Sequence, residues 1–342
     1  MSIVQICRKL LSTALGVAAL AILAAHAEEP IALQVTPSHH QTAAAVSGKF
    51  LHARPVSNAG VSAKALEIRS TAAAGTASAA GPSGNRYPAD LSYHGGPVVT
   101  ALSSHAVFLN PTAACPPITC FGDPVTFLSD LGHSSFIHII DQFTGSRAPN
   151  RYVAGTAYTA VGSLPKILSD TDIVAVVTAA VEFSGLYGYG NQYHVFLAPG
   201  QDECFDSTFT VCYSPDIPST FYFCAYHGSF DLPGYGHVLY SVEPYQAVTG
   251  CSDTGPTPNG QVADSTNNVL SHELFETITD PDGTAWTNST DNALYGDEIG
   301  DECSFVNATG FDPSVWHVGG KIYATQPEYS NQAHTCNTNG DI

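Results

Sequence analysis

The stretch SHELFETITDP, Ser271–Pro281, predicts a helix that carries metal-ligand side chains and then ends. Leu270, Leu274 and Ile278 recur at every fourth position, which is the apolar stripe of an amphipathic helix. The proline that closes the stretch disfavours helical geometry in the residue before it. The sequence therefore predicts a half-buried helix over residues 266–279 with a polar edge.

The polar edge of this helix carries the pattern HExxE. His272 and Glu276 lie one helical turn apart, so an imidazole nitrogen and a carboxylate oxygen can bind one cation. Zinc metalloproteases have a second histidine where this chain has Glu276, but zinc accepts either ligand. Glu273 follows the first ligand, in the position of the general base that takes a proton from water. The pattern predicts His272 and Glu276 as metal ligands and Glu273 as the catalytic base.

An acidic stretch downstream, EIGDEC at Glu298–Cys303, extends the predicted site. Glu298 follows Glu276 by 22 residues, which is enough chain to turn and deliver a third ligand. Asp301 is placed to orient His272, because ligating imidazoles usually donate their other N–H to a carboxylate or carbonyl. We predict Glu298 as the third metal ligand and Asp301 as a group that supports His272 without binding the metal, or as an alternative ligand.

Two further residues are alternative ligands or supporting groups for the same site. Asp280 ends the predicted helix, and His227 follows a predicted strand in the motif FCAYHG. Zn²⁺ is the cofactor that the HExxE pattern favours. A cluster this rich in oxygen also suits Ca²⁺, which takes about six to eight oxygen ligands. An acidic surface turn with no function would have a similar sequence, so the metal site is a hypothesis.

The start of the chain has the pattern of a secretory signal over residues 1–27. A basic pair, Arg8 and Lys9, precedes an apolar run over 10–23 and an A-x-A cleavage site at 25–27. The run is shorter than the roughly 20 residues of a membrane span. We therefore expect a secreted, extracellular chain, periplasmic in a Gram-negative host, with no membrane span after signal cleavage.

The charge and the missing motifs exclude several function classes. The mature chain would have nine basic against 30 acidic residues, a formal net charge of −21, which argues against a nucleic-acid partner. The sequence contains no G-x-S-x-G elbow and no Walker loop, which argues against serine-hydrolase and nucleotide chemistry. Met1 is the sole methionine, so the mature chain cannot form the Met-turn of metzincins. The sequence gives no indication of the oligomeric state.

The cysteines predict a disulfide framework. Eight of the nine remain after signal removal, an even number typical of an exported protein, and no CxxC pair supports a cysteine metal cluster. Their spacing favours pairs of sequence neighbours, namely Cys115–Cys120, Cys204–Cys212, Cys224–Cys251 and Cys303–Cys336.

The rest of the chain predicts one α/β (α+β) domain with a mixed sheet. Residues 28–85 are rich in Ala, Ser, Gly and Thr and are interpreted as a low-complexity leader or pro-segment, so that the folded, zincin-like domain covers 86–342. β-branched and aromatic runs predict strands over 97–109, 193–197, 220–226 and 237–242. Helices are predicted over 126–143 and 170–183, the second with Ser169 as N-cap and Gly185 as stop.

Several motifs together resemble the Exordium-like, phosphate-induced family of secreted proteins. They are LSYHGGPVV (91–99), FCAYHG (223–228), HELFETITDP (272–281), AW (285–286) and EIGDEC (298–303). The resemblance implies an extracellular protein, but the family has no settled enzymatic activity. Its HExxE helix is similar to that of a zincin, with the base position at Glu273 and ligand positions at His272 and Glu276. The downstream ligand of thermolysin-like gluzincins would correspond to Glu298.

Three functions are compatible with these residues. The first is a secreted metal-dependent hydrolase, a zinc peptidase that uses activated water on a peptide or protein substrate. The second is a non-enzymatic extracellular or cell-wall-associated binding protein with a structural cation site. The third is a glycan-acting enzyme with paired carboxylates, for which the abundance of acidic residues makes any single pair weak support.

Overall fold

Runs of β-branched and aromatic residues form the centre of the fold, where they pair into a large mixed sheet. The computed structural model describes residues 29–56, 66–69, 87–205, 208–288, 297–304 and 314–340. The predicted signal, residues 1–27, lies outside the described residues, as does most of the Ala- and Ser-rich run before Tyr87.

The elements are numbered in chain order. The strands are β1 (Ile31–Val35), β2 (Ser47–Pro55), β3 (Leu66–Arg69), β4 (Ser92–Tyr93), β5 (Leu102–Leu109), β6 (Tyr152–Ala154), β7 (Tyr158–Gly162), β8 (Ile167–Ser169), β9 (Asn191–Leu197), β10 (Asp202–Cys204), β11 (Cys212–Tyr213), β12 (Phe223–Leu232), β13 (Gly236–Glu243), β14 (Trp286–Thr287), β15 (Ser314–Val318), β16 (Lys321–Thr325), β17 (Glu328–Ser330) and β18 (Thr335–Asn337). The α-helices are α1 (Pro37–Ala44), α2 (Pro124–Gly132), α3 (Asp141–Thr144), α4 (Asp170–Ser184) and α5 (Gln261–Thr279). Short 3₁₀ helices cover Thr119–Phe121, Phe136–Ile140 and Asp301–Cys303.

The nine-stranded sheet has the order β1-β7-β5-β9-β13-β12-β2-β3, with β6 paired to β5. The pairs from β1 to β13 are parallel, whereas β12, β2 and β3 add antiparallel pairs at the other end. Small two- and three-stranded sheets surround it. The predicted α/β (α+β) fold with one large mixed sheet is confirmed.

The two faces of the sheet are covered by different helices. Alternate residues of a strand point to opposite faces. On β5, Val107 and Leu109 therefore join the core under α4, whereas Ala106 and Phe108 join the core that contains the apolar residues of α5. Helix α5 thus lies across one face of the sheet and is positioned by it.

Helix α5 ends at Thr279, as the proline signal predicts, but it begins at Gln261, five residues before the predicted start. It is also buried along its whole length from Ala263 onward, so the prediction of a half-buried helix is wrong. Strands β12, β13 and β16 and helix α2 contact the helix, and Glu276 on its polar edge lies 3.5 Å from His227 of β12. The polar edge is therefore an interior surface.

The other helix predictions differ in accuracy. Helix α4 has the predicted Ser169 cap, in a capping box with Asp172, and ends at Gly185 in the left-handed region. The single helix predicted over 126–143 is instead broken into α2, a 3₁₀ turn and α3. Ser134 causes the break, because its hydroxyl donates to Leu131 O at 2.7 Å and competes with the helical backbone.

The N-terminal segment requires the largest correction. Strands β1 and β2 belong to the main sheet, and β2 pairs with β12 next to the centre. Phe50 and Leu51 are buried in that sheet, so the described part of residues 28–85 is folded structure and the folded region begins well before residue 86. Ala and Ser dominate the average composition of the segment, so that average does not show the short strand pattern around Phe50 and Leu51.

All four predicted disulfides are confirmed. Cys115–Cys120, Cys204–Cys212, Cys224–Cys251 and Cys303–Cys336 are bonded. The last of these ties the 3₁₀ turn at Asp301–Cys303 to β18. Disulfides of this density are typical of proteins that fold in an oxidising compartment. Among the described helices, none has the length and apolarity that crossing a bilayer requires.

A buried ionic group fastens the N-terminal segment to α4. Lys49 of β2 forms an ion pair with Asp170, and Tyr226 donates its hydroxyl proton toward both Asp170 and Glu203 at 3.0 Å. Burial lowers the pKa of Lys49 to about 8, and burial raises the pKa of Glu203 to about 8. Glu203 therefore carries its proton at neutral pH, whereas Lys49 and Asp170 beside it neutralise each other's charge.

The raised pKa of Glu203 predicts that the free energy of unfolding depends on pH, and Glu203→Gln should remove this dependence. A carboxyl whose pKa is higher in the folded chain contributes stability below about pH 4.5 that is lost as pH rises toward 8. The variant should thus gain stability relative to the native chain by several kcal/mol, on the order of 1.4 kcal/mol per pKa unit, between pH 5 and pH 8. Urea unfolding at both pH values measures this. Glu29→Gln, at an exposed glutamate before β1, should show no such gain.

Candidate metal centre

The candidate metal centre is assembled from four parts of the fold. Helix α5 supplies three side chains, two of them adjacent and the third one turn further on. Strands β12 and β2 supply one imidazole each. The last 3₁₀ helix and the turn before it supply two carboxylates. In this order they are His272, Glu273, Glu276, His227, His52, Glu298 and Asp301.

His272 and Glu276 lie as close together as the helical spacing predicts. His272 Nε2 lies 3.0 Å from Glu276 Oε1, at the i, i+4 spacing of α5. Although the two atoms are close, they lack the alignment of a hydrogen bond. Glu276 Oε1 instead accepts the backbone N–H of Asp301 at 3.2 Å. Two possible metal-ligand atoms that lie this close without a hydrogen bond between them are placed to bind a common cation.

Asp301 lies beside the same imidazole nitrogen as Glu276. Its Oδ1 is 3.7 Å from His272 Nε2, and its Oδ2 is 2.8 Å from His52 Nε2. The sequence reasoning placed Asp301 on the other ring nitrogen, as a supporting group. The observed position makes Asp301 a ligand candidate in its own right, together with His52.

Glu273 faces His227 on the other side of Glu276. His227 Nδ1 lies 3.3 Å from Glu273 Oε2 and 3.5 Å from Glu276 Oε2. His227 Nε2 lies 3.8 Å from Glu298 Oε2, and Glu298 Oε1 lies 3.4 Å from His52 Nδ1. Glu298 therefore contacts His227 and His52, whereas the sequence prediction grouped it with His272 and Glu276.

The centre is inaccessible to solvent in the described structure. The side chains of His227, His272, Glu273 and Glu276 have no exposed surface, and those of His52, Glu298 and Asp301 are 2 to 3 % exposed. Burying several carboxylates without compensation is costly, so such groups are normally paired or bound to metals.

The carboxyl groups are of two kinds, because the pKa is raised in Glu273 and Glu298 and lowered in Glu276. Burial and the neighbouring charge of Glu276 raise the pKa of Glu273 well above its usual range. Burial also raises the pKa of Glu298, with Asp280 and Glu276 adding to the effect. Burial works in the same direction on Glu276, but His272 and His227 outweigh it and hold its pKa well below the usual range. Glu276 is thus the permanent anion at the centre of the cluster.

Burial and the nearby charges also shift the pKa values of the imidazoles. Burial opposes the charged form of His52, but Asp301 and Glu276 outweigh it and raise the pKa of His52 to about 9. Burial lowers the pKa of His227. A charged His52 compensates part of the negative charge when no metal ion is bound, and a neutral His227 has the lone pair that a metal ligand needs.

The donor atoms have the spacing of metal ligands. Zinc bonds of about 2.0–2.2 Å at tetrahedral angles hold neighbouring donor atoms about 3.3–3.6 Å apart. The distances around Glu276 run from 3.0 to 3.7 Å. Among the described residues, no hydrogen bond reaches His272 Nε2, Glu276 Oε2 or Glu298 Oε2. The residues fit a divalent cation.

Gly300 is required by the close approach of the acidic turn to the helix. A Cβ at this position would lie 2.5 Å from Nδ1 of His272. Its φ of −76° is ordinary, so the space and not the backbone conformation demands glycine. The glycine of EIGDEC therefore lets Asp301 reach the imidazole of His272.

Asp280 has a different role from the other predicted candidates. Its Oδ1 accepts the backbone N–H groups of Thr284 and Ala285, both at 2.6 Å. This oxygen holds the turn that follows α5 and leads into β14. Asp280 acts on the centre through its charge, which contributes to the raised pKa of Glu298.

His52 and Arg54 are the residues at the centre that sequence reasoning missed. Both lie on β2, inside the segment interpreted as a leader. Arg54 is fully buried and donates to Asn268 Oδ1 at 3.5 Å. Its charge acts on Glu273 as well as on buried acidic groups elsewhere, including Asp253. Apolar and polar residues alternate over LHAR, Leu51–Arg54, which is a strand signal at local scale.

No family model, curated protein or solved structure matches this chain in the comparisons.

Proposed function

We propose that this chain is a secreted, zinc-dependent hydrolase that acts on a peptide or protein substrate. The observation that carries the proposal is the buried set of imidazoles and carboxylates around Glu276, in which no hydrogen bond satisfies His272 Nε2 or Glu276 Oε2 within the described part of the chain. His272, Glu276 and Asp301 would hold the zinc, which when bound polarises a carbonyl group and makes water more acidic.

The chemistry of the donors supports zinc over calcium. Ca²⁺ is bound almost entirely by oxygen, whereas zinc takes imidazole nitrogen and carboxylate oxygen together. Three imidazoles, those of His52, His227 and His272, face the carboxylates of this cluster. A calcium site would leave these nitrogens without a use.

Glu273 has the properties of a general base. A base is most effective when its pKa lies near the working pH, and burial beside Glu276 raises the pKa of Glu273 toward that range. His227 Nδ1 lies 3.3 Å from the carboxylate and orients it. Glu273 would accept the proton from water and return it to the leaving amine.

Metal analysis and Glu273→Gln test this proposal. The purified, disulfide-bonded mature chain should contain stoichiometric zinc and cleave members of a fluorogenic peptide library. Glu273→Gln should keep the zinc held by His272 but lose at least about 100-fold in hydrolysis, which is the usual contribution of a general base. Glu182→Gln on the surface of α4 is the control and should keep both. A native chain without stoichiometric metal overturns the proposal.

Complete burial favours a second function, a structural cation site in a non-enzymatic extracellular protein. The described side chains of the cluster expose at most 3 % of their surface, which suits a closed structural site better than one that receives a substrate. This alternative predicts stoichiometric metal and a melting temperature that falls on chelation, but no cleavage of peptides or esters by any preparation.

A further inference from the structure

We infer that the centre binds two divalent cations, bridged by the carboxylate of Glu276. This inference rests on the proposed function for the cation near His272 and adds a second cation near His227. Glu273 would bind that second ion through Oε2, which faces His227, and Oε1, which has no hydrogen bond in the described part of the chain, would remain to accept the proton from water. Two-metal hydrolytic sites hold their ions about 3.5–4 Å apart, a distance that one carboxylate can bridge.

The donor atoms form two separate groups that share one residue. His52, Glu276 and Asp301 offer ligand atoms that all lie within 4.8 Å of one another, and so do His227, Glu273 and Glu276. Glu276 is the member common to both. Among the described residues, no such group contains both His52 and His227.

The two oxygens of Glu276 face different groups. Oε1 lies 3.0 Å from His272 Nε2, and Oε2 lies 3.5 Å from His227 Nδ1. No hydrogen bond in the described part of the chain satisfies Oε2. A carboxylate with one oxygen toward each group has the geometry of a bridging ligand.

Each position has three protein ligands among the described residues. The first is formed by His52, Asp301 and one oxygen of Glu276, and His272 Nε2 lies beside Oε1 of Glu276 at 3.0 Å. The second is formed by His227, Glu273 and the other oxygen of Glu276. Three protein ligands are typical of catalytic zinc, which keeps a position for water or a substrate atom.

The charge of the cluster supports two cations. Glu273, Glu276, Glu298 and Asp301 are all buried, and one dication offsets two of these four carboxylates. The single charge of Arg54 acts on Asp253 and Glu328 as well as on Glu273, so it cannot offset the remainder alone. A second dication would neutralise the cluster without protonating the carboxylates.

Zinc titration of the intact mature chain tests the inference. Metal is removed with a chelator, ZnCl₂ is added back, and the bound metal is counted by elemental analysis and native mass spectrometry. The native chain should bind two equivalents. His227→Gln and Glu273→Gln should bind one, with affinity at the second position weakened by at least about 100-fold, since even groups that only support a ligand contribute about 10–100-fold.

The remaining variants locate the bridge. His272→Gln should weaken the first position and leave the second, whereas Glu276→Gln should weaken both. His105→Gln is the matched control, because this buried histidine bonds to Asn191 and Thr156 away from the cluster, and it should keep two equivalents. Retention of both ions by Glu276→Gln would overturn the bridge.

Manganese loading gives a second readout, which does not depend on counting bound metal. Two Mn²⁺ ions bridged by a carboxylate couple magnetically, so the electron paramagnetic resonance spectrum of the native chain should be that of a coupled pair. Glu273→Gln should give the hyperfine pattern of an isolated ion. One equivalent with an isolated-ion spectrum in the native chain overturns the inference and leaves the proposed function standing. No bound metal overturns both.

Discussion

Deletion of residues 29–56 is expected to abolish folding of the chain. The deletion removes β1 and β2 from the main sheet, and with them the buried side chains of Leu33, Val35, Phe50 and Leu51. Burial contributes about 1.5–3 kcal/mol for each, or roughly 6–12 kcal/mol together. This approaches the whole stability of a typical domain, about 5–15 kcal/mol.

The deletion also removes charges that the remaining fold needs. Asp170 would lose Lys49, and the centre would lose His52 and Arg54. Far-ultraviolet circular dichroism and thermal melting of the deleted chain measure the effect, with the chain that begins at residue 29 as control. A deleted chain that melts cooperatively and binds zinc would contradict this expectation and identify the segment as a removable pro-segment.

Gly300→Ala is expected to lower zinc affinity by about 10–100-fold or more, with little change in the backbone fold. The new Cβ would lie 2.5 Å from Nδ1 of His272, whose ring is fully buried. Displacement of a ligand or of the groups that orient it typically has an effect of this size. Overpacking should also lower the free energy of unfolding by about 1–3 kcal/mol.

The control for this substitution is Gly190→Ala. An added Cβ at Gly190 meets no atom within 4 Å, and its backbone is not in the left-handed region. Competition with a chromophoric chelator measures zinc affinity for both variants and for the native chain. Equal affinity for Gly300→Ala and the native chain would mean that His272 is not a ligand in the observed position.

The candidate centre was predictable where its residues are close in sequence. The i, i+4 geometry of an α-helix brings His272 to Glu276 whatever surrounds them, and this contact is present at 3.0 Å. The acidic stretch was also correctly assigned to the same region, because Asp301 reaches both His272 and Glu276. Which carboxylate faces which imidazole was not predictable, since the turn that carries Glu298 and Asp301 is oriented by tertiary packing.

The contribution of β2 illustrates why composition alone was misleading. An average over residues 28–85 reports a low content of large apolar residues, which is the signature of a chain that cannot form a core. A strand in a sheet does not need its own core, because it is stabilised by pairing with its neighbours. Pairing with β12 brings His52 opposite His227 in the register of the sheet, at a separation of 175 residues along the chain.

The sequence by itself determined the local features of this protein. These are the position and end of α5, the capped helix α4, the strand-forming runs and the four disulfide pairs, all of which depend on residues near one another or on cysteine spacing. The tertiary structure alone decided the burial of α5, the inclusion of β2 and the facing of His52 and His227 on two sides of Glu276. The reason is that strand pairing and helix packing over long sequence separations depend on the whole set of neighbours, which local periodicity does not encode.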